Sequence, residues 1–377
     1  MSLHVIELND SALTAANASG ILASSPGFAL ALGKELQLGT SAEQQARLRP
    51  TQSYNKYWHE LSLEPINHNN TLRHYADIAH AHLLHLAEEA SIAGDAILAV
   101  PGNFTREQLA IVLGLTRHTP INTVGVVDSA LAASIDYAEL PVLIHGELQL
   151  HQVLLTRLLC RDGKLFLDST VQVPGVGSQH FMDYMMQSAT REFIQQCRFN
   201  PQHDAASEQA LYNQLPQWLE LSSSEQKNLL MELKTANAVH SAKLPRESLV
   251  SGLDSHYQKI AQQLRGLMGS QQTQLLFSAR LKRLPGFAEA MGQLGGADFV
   301  SESALYQSCL RHAADIIAKD DGVHLQNSLT LGSAGGTVGN NRGKTAQHIS
   351  HVLYRNRAVA AKHVPITNGS TLNGSAR

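Results

Sequence analysis

Two histidines and two other polar residues alternate along a stretch that we predict to be a β-strand. They are His145, Glu147, Gln149 and His151. Successive side chains of a strand point to opposite faces, so these four are expected to share one face. Imidazole nitrogen and carboxylate oxygen are common zinc ligands, which makes His145, Glu147 and His151 candidate metal ligands. A polar strand face that holds no metal explains the same pattern, and we favour that interpretation.

The predicted helix Thr71–Ala90 carries several more histidines. His82 and His85 are three residues apart and could meet on one face. We interpret this pair as part of a solvated helix face. His80 lies beside the apolar stripe of the helix and is the candidate for a buried histidine.

Residues 336–345, with the sequence GTVGNNRGKT, superficially resemble a phosphate-binding loop. That motif requires a glycine five residues before Gly343, and Val338 occupies the position. We therefore do not predict a phosphate loop here. Scattered arginine and lysine residues make the C-terminal segment mildly basic, which is typical of a solvated surface and less often of a contact with an acidic partner.

Composition restricts the function classes. The 377 residues are 43% hydrophobic and suit two lobes better than one core. A net charge of −3 gives no reason to expect a nucleic acid or a membrane surface as partner. The N-terminal residues do not resemble a signal peptide, and the apolar runs are too short to span a bilayer. Three widely separated cysteines favour a reducing cytoplasm over a disulfide framework.

Strand and helix patterns alternate along the chain, which predicts an α/β protein with mixed sheets. A helix is predicted over Arg106–Thr116, because Thr105 and Gln108 form a capping-box pattern at its start. Residues 180–269 are predicted to be mostly helical, and residues 332–377 to be irregular. The predicted strands are Leu3–Leu8, Ala12–Ala18, Gly27–Leu32, Ala96–Val100, Asn122–Val127, segments of Leu140–Leu159, Leu165–Val173 and Gln274–Ser278.

The order of these segments resembles the ATPase domain of DnaK-type heat-shock chaperones, within the actin-like ATPase superfamily. The stretches that carry the resemblance are LGTSAEQQARLRPTQSYNKYW, AILAVPGNFTREQLAIVLGL, NTVGVVDSALAAS, VPGVGSQHFMDYM and LLFSARLKRLPGF. The matching order extends from residue 3 to about residue 318. The chain is also similar to bacterial chaperone-like proteins that carry this domain alone.

The resemblance implies a two-lobed actin-like ATPase fold built from duplicated ribonuclease-H-like domains. Lobe I is expected over 1–139, with a small insert at about 21–90. Lobe II is expected over 140–320, with a mostly helical insert at about 186–270. Residues 321–377 are expected to form a partly irregular C-terminal extension.

Members of that family hold ATP through two glycine-rich hairpins, a lysine and a magnesium ion fixed by carboxylates. In this chain the first hairpin reads Glu7–Ser11 (ELNDS), where the family reads close to D-L-G-T-T. The second reads His145–Leu150 (HGELQL), where the family reads close to D-L-G-G-G-T. Two glycines of the adenosine loop are replaced by Ala279 and Arg280, and we expect the Arg280 side chain to fill the base pocket.

Some positions still match the family in residue type or location. Asp128 is the candidate for the acidic residue that orients the attacking water, although it is one methylene shorter. The family lysine falls near Trp58, so that Lys56 is its nearest substitute. The candidate nucleotide-binding residues are Ser11, Lys56, Asp128, Gly175, Gly177 and Arg283.

Three functions are compatible with this sequence. We favour a cytoplasmic, chaperone-like pseudo-ATPase that serves as a binding or scaffold protein for a protein partner, with no cofactor and no hydrolysis. The second is a weak ATP-binding ATPase that uses ATP and magnesium at the altered site. The third is a metal-dependent activity at His145, Glu147 and His151.

Overall fold

A computed structural model describes most of the chain. It covers residues 2–66, 72–222, 226–235, 238–317 and 322–332, and the strand backbones of 351–354 and 357–360. Residues Met1–Leu331 form one compact unit and Gly332–Arg377 a second. A helix with the length and apolar character needed to cross a membrane does not occur among the described residues.

Strands and helices alternate along the described chain. The strands are β1 (His4–Glu7), β2 (Leu13–Asn17), β3 (Gly20–Ser25), β4 (Ala29–Leu32), β5 (Glu35–Leu38), β6 (Ser53–Tyr54), β7 (Gly94–Val100), β8 (Ile121–Asp128), β9 (Val142–Leu148), β10 (Gln152–Arg161), β11 (Lys164–Pro174), β12 (Asn228–Lys234), β13 (Val239–Pro245), β14 (Thr273–Phe277), β15 (Asp298–Phe299), β16 (Leu325–Gln326), β17 (Ser328–Thr330), β18 (His351–Tyr354) and β19 (Arg357–Ala360). The helices are α1 (Gly39–Glu43), α2 (Tyr75–Glu89), α3 (Arg106–Thr116), α4 (Ser129–Ser134), α5 (Ser178–Cys197), α6 (Ala205–Ser222), α7 (Arg246–Met268), α8 (Ala279–Lys282), α9 (Phe287–Gly292), α10 (Ala304–Arg311) and α11 (Ala313–Ile316).

Two mixed sheets in the first unit have the same core topology. The order of the first is β16-β8-β7-β1-β2-β3, and the order of the second is β15-β14-β9-β10-β11-β17. In each sheet, three consecutive strands form an antiparallel meander: β1–β3 in the first and β9–β11 in the second. The next strand, β7 or β14, pairs in parallel with the first strand of the meander, and β8 or β15 pairs in parallel with that strand. The short strands β16 and β17 then extend one sheet each, so residues 325–330 contribute to both.

An insert follows the meander in each sheet. The first insert contains the small sheet β5-β4-β6 with α1 and α2, and the second contains α5, α6, the hairpin β12–β13 and α7. Both return to the parallel strand that pairs with the first strand of the meander. The turns between the first two meander strands therefore occupy equivalent places in the two sheets.

The central strands are apolar on both faces because both faces are covered. On the first sheet, Ile6 and Leu98 belong to a core that includes α2. Val5 and Ile97 belong to another core, which Leu143 of the second sheet shares together with residues of α4 and α10. This alternation along β1 and β7 follows the two-residue period of a strand.

Several predictions are confirmed. The chain is α/β with mixed sheets, and α3 has the predicted bounds, with both capping-box hydrogen bonds between Thr105 and Gln108. The predicted strand Leu165–Val173 lies within β11, which follows β10 through a turn at Asp162 and Gly163 with positive φ angles of 53° and 71°.

Other predictions are wrong. β3, which completes the first meander, was not among the predicted strands, and the predicted strand Gly27–Leu32 supplies β4, which pairs with β5 and β6 in the small sheet. The region 180–269 is mostly helical as predicted, through α5, α6 and α7, but the hairpin β12–β13 within it was not predicted. In the second unit β18 and β19 pair with each other, and the stretch 336–345 lies outside the described residues.

Candidate functional site

The turns between the first two strands of each meander are hydrogen-bonded to each other. The backbone N–H of Leu150 donates to Asp10 Oδ1 at 2.7 Å, and the Asn9 side-chain amide donates to the carbonyl of Leu148 at 3.1 Å. Asn9 and Asp10 are buried. The Asn9 carbonyl oxygen accepts from the N–H and the hydroxyl of Ser11, which fixes the shape of the first turn. The two turns thus act as each other's hydrogen-bonding partners.

A buried pair of carboxyl groups lies beside these turns. Glu147 accepts hydrogen bonds from Asn9 Nδ2 at 2.8 Å and from the Ser129 hydroxyl at 3.2 Å. It also lies within hydrogen-bonding reach of Glu7. Burial, and then the negative charge of Glu7, raise the pKa of Glu147 above its usual value, which favours one proton on the Glu7–Glu147 pair.

Arg280 neutralises the other member of that pair. Its guanidinium donates to both carboxylate oxygens of Glu7, at 2.8 and 3.3 Å, and the Tyr306 hydroxyl donates to Glu7 at 2.5 Å. Burial by itself would raise the pKa of Glu7. The positive charge of Arg280 and the hydrogen bonds from Arg280 and Tyr306 outweigh burial and lower the pKa below its usual value. Arg280 was expected to fill a base pocket. It instead ties the first strand of one sheet to the end of β14 in the other.

The N-terminus of α5 packs against the second turn. Ser178 N–H donates to Gln149 O, and Gln179 N–H donates to Leu150 O, both at 2.9 Å. A Cβ at Gly177 would lie 2.3–2.4 Å from backbone atoms of residues 150–152, so only glycine fits there. Gly175 has a φ of +74° and donates its N–H to His151 O. The first free N–H groups of this helix are consequently used within the protein.

The remaining predicted residues are dispersed. Asp128 is buried and caps α4 by accepting from Leu131 N–H at 2.9 Å, and burial raises its pKa to about 6. Lys56 is exposed and pairs with Glu60 at 3.7 Å. Arg283 pairs with Glu302 at the surface. Of the candidate nucleotide ligands, the structure brings Ser11, Gly175 and Gly177 to the two turns.

The space between the turns and Trp58 is almost filled. A cavity of about 10 Å³ remains there, lined by Asp10, Trp58 and Asn103 among others. That volume is about the minimum for one water molecule. Asn103 also exchanges hydrogen bonds of 3.2 Å with Gln149 of the second turn.

The candidate metal ligands do not converge. β9 ends at Leu148, so only His145 and Glu147 share a strand face, and the expectation that His151 joins them is wrong. His145 faces the Ser134 hydroxyl at 3.3 Å, and burial lowers its pKa to about 4. His151 lies in the turn and bonds to Asn55 O at 2.9 Å. Within the described residues, groups of three or more His, Cys, Asp or Glu side chains that could hold a metal ion are absent.

His82 lies in a buried polar cluster, not on a solvated face as predicted. Its Nδ1 accepts from Trp58 Nε1 at 3.1 Å and faces the Tyr57 hydroxyl at 2.7 Å. Trp58 can only donate, so the ring proton is on Nε2 and is donated to the Ser25 hydroxyl at 2.8 Å. His82 cannot then act as a base toward Ser25. His80, the predicted buried histidine, is only half-buried and contacts His118 O.

Two larger cavities lie on either side of Arg280, each of about 300 Å³. The first, which we call the glutamate cavity, is lined by Glu7, Ser129, His145, Glu147 and Tyr306 among others. The second, which we call the apolar cavity, is lined by Phe28, Glu43, Phe181, Met182, Tyr212 and Leu284 among others. Sequence reasoning missed Tyr306, because its hydrogen bond to Glu7 joins segments 299 positions apart.

Comparison with known proteins does not identify a relative. A scan of the chain against models of protein families and a search of curated proteins both found no match. The resemblance to the DnaK-type ATPase domain therefore rests on the sequence segments quoted above.

Proposed function

We propose that the chain is an actin-fold, chaperone-like protein that binds or scaffolds a protein partner and does not hydrolyse ATP. The repeated topology of the two sheets supports the fold, since each has the meander, the insert and the parallel strands that the resemblance implies. The shared core between the sheets supports the same arrangement. The two lobes, divided near residue 139, are part of the proposal.

The hydrogen bond from Leu150 N–H to Asp10 carries the functional part of the proposal. In the family, amide groups of such turns hold phosphate oxygens. In this chain a carboxylate oxygen from the facing turn takes the place of a phosphate oxygen. A bound triphosphate would have to break this bond and then lie beside the Asp10 charge, which costs on the order of 4 kcal/mol at about 4 Å.

The groups that could compensate a phosphate charge are used elsewhere. Arg280 is paired with Glu7, and Lys56 with Glu60. The first N–H groups of α5 are bonded to the second turn. Losing two or three charged contacts at about 2–5 kcal/mol each moves a micromolar affinity into the millimolar range. Partner binding, and not a nucleotide cycle, is the function that this site supports.

The direct test is isothermal titration and an ATPase assay with magnesium and ATP, using an active DnaK-type chaperone as positive control. We expect a dissociation constant weaker than about 1 mM and no hydrolysis above the background. A micromolar dissociation constant would overturn the proposal. In that event, loss of binding in Ser11→Ala and Asp128→Asn would place ATP between the turns and support the weak ATPase.

A matched pair of variants tests the physical reason. Asp10→Asn removes the charge but keeps an oxygen for Leu150 N–H, whereas Asp10→Gly removes both and supplies the backbone freedom of a glycine-rich turn. We expect Asp10→Gly to bind ATP more tightly than Asp10→Asn. Equal affinities of the two variants would show that the Asp10–Leu150 bond does not close the site.

A further inference from the structure

The apolar cavity is large enough to hold a small ligand. Its volume of about 300 Å³ falls at the lower end of the range of ligand pockets. Most of its wall is apolar, and several of the apolar side chains in it are buried. These include Phe28, Leu148, Leu150, Phe181, Met182 and Leu219.

Glu43 is the polar group that this wall leaves without compensation. It is the last residue of α1 and lines the cavity. Its backbone carbonyl accepts from Gln209, but its carboxyl group has no hydrogen bond or ion pair among the described residues. Burial raises its pKa to about 7. An unpaired carboxyl in an apolar wall is costly, and proteins retain such groups where something else completes the contact.

The charges around Glu43 do not supply a counter-ion. Tyr212 is close enough for the Glu43 charge to raise its pKa, and it donates its hydroxyl to Gln179. Glu220 adds a second acidic side chain to the lining. The neighbouring arginines are already paired, namely Arg47 with Asp183, Arg280 with Glu7 and Arg283 with Glu302. The cavity therefore has a largely apolar wall in which the Glu43 carboxyl group has no counter-ion among the described residues.

We propose that the apolar cavity binds a small molecule with an apolar body and one protonated amine, with the ammonium group on the Glu43 carboxylate. The ligand complements the wall in both respects, because the body buries apolar surface and the ammonium pairs the lone carboxylate. Anionic ligands are excluded by the same charge. This inference does not depend on the proposed scaffold function or on the proposed lack of ATP binding.

The test compares three probes of equal length, n-octylammonium, 1-octanol and octanoate, by methyl NMR of the methionine side chains. Met182 lines the cavity and should shift on binding, whereas Met231 of β12 does not line it and serves as internal control. At pH 8 we expect octylammonium to bind at least about tenfold more tightly than octanol, and octanoate more weakly than both. Because Glu43 gains a proton on acidification, octylammonium affinity should fall about tenfold between pH 8 and pH 6.

Glu43→Gln should remove the preference for octylammonium over octanol while leaving octanol binding unchanged. The variant keeps the size of the side chain and breaks no hydrogen bond or ion pair among the described residues, so it should fold. Glu35→Gln, at an exposed position on β5, is the matched control and should retain the preference. The proposal is overturned if none of the probes shifts Met182, if octanol or octanoate binds as tightly as octylammonium, or if Glu43→Gln keeps the preference.

Discussion

The Glu7 carboxylate and the Arg280 guanidinium, 273 residues apart in the chain, are joined by two hydrogen bonds. Glu7 ends β1 of the first sheet, and Arg280 belongs to α8, which follows β14 of the second. Tyr306 contributes a third hydrogen bond to the same carboxylate from α10. One buried carboxylate thus links three segments that are distant in sequence.

Arg280→Met should be strongly destabilising. The substitution leaves the buried Glu7 carboxylate without its counter-ion, and we expect a loss of about 3 kcal/mol in the free energy of unfolding, measured with urea. Arg283→Met is the matched control, because its pair with Glu302 is half-exposed, and it should cost less than about 1 kcal/mol. Similar losses of unfolding free energy in the two variants would mean that the Arg280–Glu7 pair stabilises the protein no more than an exposed ion pair does.

Gly177→Ala should be far more costly than an ordinary glycine substitution. The new methyl group would lie 2.3–2.4 Å from backbone atoms of the second turn, which cannot rotate away. We expect the free energy of unfolding to fall by about 2 kcal/mol or more, as measured by urea denaturation. Gly114→Ala inside α3 meets no atom within 4 Å and should stabilise by about 0.5–1 kcal/mol. A harmless Gly177→Ala would show that the turn can move away from α5.

Local signals in the sequence were sufficient for much of the fold. The capping box at Thr105 correctly predicted the start of α3, and the apolar run Ala96–Val100 correctly predicted most of β7. The hairpin β12–β13 was missed, although Leu229, Met231 and Leu233 alternate with exposed residues as a strand requires. The segments on both sides have helical patterns, and the two-residue alternation is short, so the whole region was predicted to be helical.

The candidate site was only partly accessible to sequence reasoning. The loss of glycines from both turns is readable in the residues themselves. The hydrogen bonds from Leu150 to Asp10 and from Arg280 to Glu7 could not be predicted, because they depend on how the two sheets approach each other. The burial of His82 was missed for a similar reason, since its partners Tyr57 and Trp58 come from a segment without clear periodicity.

The stability of the protein should depend on pH through His82. Burial lowers the pKa of this imidazole to about 3, below its usual value of 6.5, so the unfolded chain binds a proton that the folded chain does not. His82 therefore contributes stability that is complete above pH 6.5 and is lost as the pH falls toward 3. The loss is about 1.4 kcal/mol per pH unit in that interval.

His82→Gln isolates this contribution from that of other groups. Its cost, taken as the difference in unfolding free energy from the unsubstituted chain, should be about 2 kcal/mol smaller at pH 5 than at pH 8. Chemical denaturation of both proteins at the two pH values measures the difference. A cost that does not change with pH would contradict the assignment of a neutral His82.

Arg47 joins the two inserts and should control how readily they separate. Its guanidinium bonds to Asp183 of α5 at 2.7 Å and lies 4.8 Å over the ring of Tyr212, and its backbone N–H donates to Gln209 of α6 at 2.7 Å. The side chain is partly exposed, so Arg47→Ala should cost only about 1 kcal/mol of global stability. Local opening should nevertheless increase about tenfold, seen as faster amide hydrogen exchange at residues 44–49 and in α6. Arg73→Ala removes an exposed pair with Asp77 and should leave that exchange unchanged. If Arg47→Ala exchanges no faster than Arg73→Ala, the contacts of Arg47 do not hold the inserts together.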